Sequence, residues 1–243
     1  FYTTPSQPNI FQVLSEAGVN QPVVASSSLT IRGQQLNPQV NDEELQDKTN
    51  NEPLVRSKPQ VRIGETRVTP HNVRENEISL ELSLLSLQEK NSLRAGIQSL
   101  QIVYSIAPKR VETEPRRIVG SNVMPFVLCP TIAQIEIEEI EDNGDETYSA
   151  QVKVELDVTT GVAQRVLLFL NERSTSNPAA YIFAAASRRR DSKLVTFPIS
   201  EVKEGEYLAR VQIDGAESPL NVDMNSQSET YEQFVSPAVA IGF

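Results

Sequence analysis

Apolar and polar positions alternate with a period of two along nearly the whole chain. In SLTIRGQQL (residues 28–36), Leu29 and Ile31 fall on one side and Thr30 and Arg32 on the other. In EISLELSLLSL (77–87), Ile78, Leu80, Leu82 and Leu84 alternate with serine and glutamate, which predicts one half-buried strand. VRIGETRV (61–68) holds two short alternating pieces around Gly64 and Glu65 and reads as a hairpin. LRAGIQSLQIVYSI (93–106) reads as a turn at Ala95-Gly96 followed by a strand. SNVMPFVLCP (121–130) is a short apolar strand in which Pro125, lacking an N–H, marks an edge or a bulge.

A second series follows Pro130. IAQIEIEEIED (132–142) leads into the turn Asp142-Asn143-Gly144-Asp145. YSAQVKVELDV (148–158) and AQRVLLFLNE (163–172) read as neighbouring strands joined through Thr159-Thr160-Gly161. AAYIFAAAS (179–187), SKLVTFPIS (192–200), YLARVQIDG (207–215) and VSPAVAIGF (235–243) complete it. The pattern predicts roughly five to six strands before Pro130 and six to seven after it, with turn signals about every 8–12 residues. The fold class is therefore all-β: two tandem antiparallel β-sandwich domains, residues 9–130 and 131–243. The one helix-like pattern, DEELQDK (42–48), is too short and too polar to hold as a helix alone.

Composition narrows the function classes. With 22 Lys+Arg against 32 Asp+Glu, the formal charge of -10 disfavours nucleic acid or an anionic membrane as the main partner. No apolar run approaches the ~18 residues of a membrane span, so direct membrane insertion is not expected. Cys129 is the only cysteine, which excludes an internal disulfide and favours a reducing compartment. The opening FYTTPSQPNIF has neither a basic n-region nor an apolar h-region; residues 1–8 read as an extended linker from an upstream domain.

Catalytic chemistry needs a constellation of groups, and none is visible. His71, the single histidine, sits at a turn beside Pro70 with no G-x-S-x-G elbow elsewhere. One histidine and one cysteine do not make a metal site, and no metal or cofactor is expected. Cys129 in FVLCP reads as a buried, inert thiol. Gly33 and Gly64 belong to no phosphate-binding loop; Gly33 reads as a turn or bulge residue. The acids of IEIEEIEDNGDE (135–146) read as the wet face of a strand and a hairpin turn, since the rest of a calcium loop is missing. The absence of Trp argues against a sugar-stacking module.

Three features remain as contact candidates. Residues 37–59 form a polar insertion carrying Glu43 and Glu44, a surface loop or a binding loop. Arg188, Arg189 and Arg190 form the one basic cluster, a solvated tip or a grip on an acidic neighbour or a phosphate. A second polar loop, DMNSQSETYEQ, precedes the last strand.

Two resemblances take the reading further. PVV (22–24), SLTIRGQQL, VRIGETRVTP, RAGIQSLQIVYS and SNVMPFVL follow an order that resembles the immunoglobulin-like domain shared by plexins and transcription factors, the IPT or TIG type. Over nearly the whole chain, TRVTP, LRAGIQSLQIVY, SNVMPFVLCPTI, AQRVLLFLNE and above all RVQIDGAESPL (210–220) resemble the C-terminal part of cap proteins of phage-tail-like contractile injection systems. The resemblance implies immunoglobulin-like sandwiches and a structural, non-enzymatic role. It places the chain in a cap or tail terminator at the distal end of the sheath and inner tube. The implied partners are sheath and tube subunits and copies of the chain itself in a six-fold ring, in a cytoplasmic particle. Two other readings stay open: an adhesive or ligand-binding immunoglobulin-like module, and an accessory domain of a hydrolase.

Overall fold

The computed structural model describes residues 7–18, 21–37, 46–47, 52–108, 117–174 and 176–242. The chain is almost entirely β, in antiparallel sheets. It divides into two compact units, Phe1–Leu93 with Gln98–Phe126, and Arg94–Ile97 with Val127–Phe243.

The first unit contains β1 (Asn9–Ser15), β2 (Ser28–Gln34), β3 (Gln46–Asp47), β4 (Glu52–Arg56), β5 (Gln60–Ile63), β6 (Thr66–Val68), β7 (Asn72–Val73) and β8 (Glu77–Glu81). The helix α1 (Leu87–Ser92) follows, then β9 (Gly96–Pro108), whose first two residues count with the second unit, and β10 (Arg117–Gly120). The strand β11 (Met124–Leu128) crosses the boundary between the units, just ahead of Pro130. One sheet has the order β1-β2-β8-β7. The other is organised on β9, which pairs with β4, β5, β10 and β11. The expected alternation holds where it matters for the core: Leu29 and Ile31 on β2, Ile78 and Leu80 on β8, and Leu100 and Ile102 on β9 are buried.

Gly33 lies inside β2, not at its end. A Cβ there would stand 2.2 Å from the Asn9 carbonyl oxygen, beside a bulge in β1 between Ile10 and Gln12. The bare Cα lets the two backbones approach. Gly64, at φ +56, opens the two-residue turn of the β5–β6 hairpin, where Ile63 pairs with Thr66.

Two expectations are corrected in this unit, and a third falls mostly outside the described residues. The strand at 77–87 ends at Glu81; Leu82–Leu84 form a 3₁₀ turn and Leu84 is 70% exposed. The cause is the S-x-x-E box that follows. The Ser86 hydroxyl accepts from the Glu89 amide, and the Ser86 amide donates to Glu89 Oε2 at 2.8 Å, starting α1. The insertion 37–59 is not wholly a loop, because β4 pairs with β9 through Leu54↔Pro108 and Arg56↔Ile106. At thirteen residues β9 runs on beyond Val103, where its pairing with four-residue β5 ends, and β4 takes up Ile106 to Pro108. DEELQDK lies outside the described residues except for Gln46 and Asp47, which are a short strand.

The second unit contains β12 (Ile132–Asp142), β13 (Thr147–Thr160), β14 (Val166–Glu172), β15 (Ala180–Ala184), β16 (Ser192–Lys203) and β17 (Gly205–Ile213). The short strands β18 (Ala216–Glu217), β19 (Asn221–Val222), β20 (Phe234–Ser236) and β21 (Ala238–Ile241) end it. One sheet has the order β12-β13-β16; the other has β15-β14-β17-β18, with β21 also on β17. Val152, Val154 and Leu156 of β13 and Val195, Phe197 and Ile199 of β16 form one buried face. Leu168 and Leu170 of β14 and Tyr207, Ala209, Val211 and Ile213 of β17 form the other. β13 and β14 are not neighbours, as their sequence proximity suggested. β13 is already paired on both sides, so the chain crosses to the second sheet past the fully buried Thr160. The final apolar segment is two strands, β20 and β21, separated by Pro237.

Gly33→Ala is expected to cost roughly 1–3 kcal/mol, because the new methyl overpacks against a backbone that cannot yield cheaply. Denaturant unfolding of the variant measures this; an unchanged midpoint would contradict the close approach of β1 and β2.

Candidate functional site

The richest side-chain chemistry of the second unit lies where residues 94–97, 161–165, 188–191 and 214 converge. The chain turns at Gly161, whose carbonyl accepts from the Gln164 amide at 3.1 Å. The Gln164 side chain closes the turn by accepting from the Gly161 amide at 2.9 Å. Its Nε2 donates to the Ala95 carbonyl at 2.8 Å and to Asp214 Oδ2 at 2.9 Å. Asp214 Oδ1 accepts from the Arg165 amide at 3.0 Å. Arg94 Nη2 meets Asp191 Oδ2 at 2.7 Å, and the Val162 amide donates to Asp191 Oδ1. The Val162 amide and the Arg94 guanidinium hold the Asp191 carboxyl below the usual carboxylate range.

This knot settles where the basic cluster goes. Arg188 is half-buried, and its Nη2 donates to the carbonyls of Gly161 and Gln164 at 3.0 and 2.7 Å. Its guanidinium therefore fixes the turn, while Arg189 and Arg190 stay exposed. Glu43 and Glu44 lie outside the described residues. The knot was not foreseen. Its only sequence signals are Gly161 and the Asp214-Gly215 pair, which mark turns without saying that side chains link them.

The remaining candidates are dispersed. His71 is exposed, with Nε2 3.6 Å from Glu81 Oε1. Cys129 is half-buried beyond the end of β11, not buried within a strand, and partial burial pushes its thiol up. The acids after Ile135 lie on β12, an edge strand that is mostly exposed. Lys153 of β13 answers them, with Nζ 2.6 Å from Glu138 Oε2, an interaction that raises its pKa. Asp142 and Asp145 close the β12–β13 hairpin by accepting from the amides of Gly144 and Thr147. Among the described residues no group of three or more His, Cys, Asp or Glu side chains is placed to hold a metal ion. No helix among them is long and apolar enough to cross a membrane.

The late polar loop is ordered by its own side chains. Asp223 Oδ1 accepts from the Asn225 amide, and Oδ2 accepts from Thr230 Oγ1 at 2.7 Å. Its backbone amide donates to the Gln233 carbonyl, and the Glu232 amide returns to the Asp223 carbonyl. The Ser228 and Thr230 hydroxyls hold the Asp223 carboxyl below its ordinary value. The loop so fixed leaves Met224 72% and Phe234 54% exposed, with Val222 and Tyr231 beside them.

Residues 130–240 match the model of a family described as a domain of unknown function (DUF8756). No curated protein matches the sequence.

Gln164→Ala removes the acceptor and both donor contacts of the knot. It is expected to cost about 1–3 kcal/mol through the groups left unsatisfied. Denaturant unfolding and hydrogen exchange at the Gly161 and Arg165 amides measure it. Unaltered stability and protection would show that the knot is ornamental.

Proposed function

We propose that the chain is a structural, non-enzymatic component of the cap or tail terminator of a phage-tail-like contractile injection system. In this reading it contributes immunoglobulin-like β-sandwiches to the particle's end. The observation that carries the reading is the ordered resemblance of TRVTP, LRAGIQSLQIVY, SNVMPFVLCPTI, AQRVLLFLNE and RVQIDGAESPL to the C-terminal part of such caps. Two physical features support it. The polar side chains that converge in the second unit are spent on one another and on turn backbone, as in a rigid scaffold. The exposed chemistry sits on edge strands and on a pre-ordered hairpin, the parts of a sandwich that contact other proteins. Its partners would be sheath and inner-tube subunits and further copies of itself in a six-fold ring. The particle would be cytoplasmic.

A terminator is present as one ring per particle, however long the sheath. Quantitative mass spectrometry of sedimented rods is expected to find the chain at a fixed low copy number that does not scale with sheath length. A copy number that rises in proportion to the sheath subunit, or absence of the chain from the rods, would contradict the proposal.

A further inference from the structure

The two exposed surfaces described above stand at opposite edges of one sheet. Tyr207 and Leu208 of β17 each pair with β14 on one side and with β21 on the other. The edge of β21 and β18 is thus opposite the edge of β15. The β19–β20 hairpin leaves from the first edge, running from β18 and returning into β21, with the Pro237 carbonyl accepting from the Ala209 amide. The arginine run leaves from the second edge, directly after β15, whose Ile182 is 63% exposed.

The two surfaces are complementary in kind. From residue 218 to the end the chain carries Asp223, Glu229 and Glu232 and no lysine or arginine, so the exposed Met224, Tyr231 and Phe234 belong to a segment whose own charges are all acidic. The opposite edge offers apolar Ile182 on β15 and, in the connection that follows it, the exposed, basic Arg189 and Arg190. Methionine and aromatic side chains are the usual anchors of protein contacts, and charge around them sets the partner and the register. The loop is already closed by Asp223, so docking would cost little ordering.

We propose that the second unit associates head-to-tail with a second copy of this chain. The β19–β20 hairpin of one copy packs against Ile182, Arg189 and Arg190 of the next. A two-fold contact through either edge alone would set hairpin against hairpin or arginine against arginine, juxtaposing like charges. A heterologous contact between opposite edges matches acid with base, and it closes into a ring when the rotation allows. The inference rests on the proposed function in that it names which surfaces the ring would use, but it makes a claim about the isolated chain that stands by itself.

The test is sedimentation velocity on the 243-residue chain at low ionic strength, over a concentration series, with circular dichroism to verify that each variant is folded. The wild-type chain should self-associate, and more weakly as salt is raised. Arg189→Glu with Arg190→Glu, and separately Glu229→Lys with Glu232→Lys, should each weaken association by about tenfold or more. An equimolar mixture of the two variants should associate again, because the acidic hairpin of the first variant meets the intact arginines of the second, and the basic hairpin of the second meets the acidic 189–190 segment of the first. A wild-type chain that stays monomeric throughout overturns the proposal. So does association that both reversals leave unchanged, or a mixture that stays monomeric. Failure here with the chain still found at a fixed copy number on rods would remove this contact and leave the proposed function standing. Charge-dependent association of a chain absent from rods would do the reverse.

Discussion

The second unit depends on β17 being paired along both edges while one whole face of it is buried. Tyr207, Ala209, Val211 and Ile213 are fully buried, and β14, β18 and β21 take up the backbone on either side. A strand used in this way has little backbone left to offer a ligand. It leaves function to whatever hangs from the sheet's two outer edges and ends. The turn at Gly161, the arginine run after β15 and the β19–β20 hairpin are those places, and each is held by hydrogen bonds of its own side chains. In the first unit β9 has the corresponding role, with four partner strands along its length.

This economy also accounts for how the polar residues are spent. Gln164, Arg188, Asp191 and Asp214 form a group that would look catalytic in a list of residue types. In the structure each is engaged with backbone or with a neighbour of opposite charge, and Asp191 is held ionised by its amide and guanidinium partners. Such a group fixes loop geometry. It converts a sheet end, ordinarily the most mobile part of a sandwich, into a rigid surface.

The alternation of apolar and polar positions carried most of the fold, because a half-buried strand must show it. Leu29, Ile31, Val152, Val154, Phe197 and Val211 could all be placed from period alone. What escaped was decided by competition that a single segment does not reveal. Leu84 continues the alternation of β8 but is expelled by the capping box at Ser86. β4 exists because β9 outruns β5. β14 leaves β13 because β13 has no free edge. The contact candidates were legible only in part. Three consecutive arginines announce a basic tip, but only the fold shows that Arg188 turns inward to two carbonyls while its neighbours stay outside. The exposure of Met224 and Phe234 follows from a hairpin closed by Asp223, and composition had marked that stretch as merely polar.

Localisation on the particle tests the central claim, a structural role at one end of a contractile tail, most directly. The decisive measurement is immunogold electron microscopy of sedimented particles from the source cells, with antibody raised against the 243-residue chain. The account predicts gold at a single end of sheathed rods. Gold absent from every rod, with the antigen in the envelope or the soluble fraction, would contradict it.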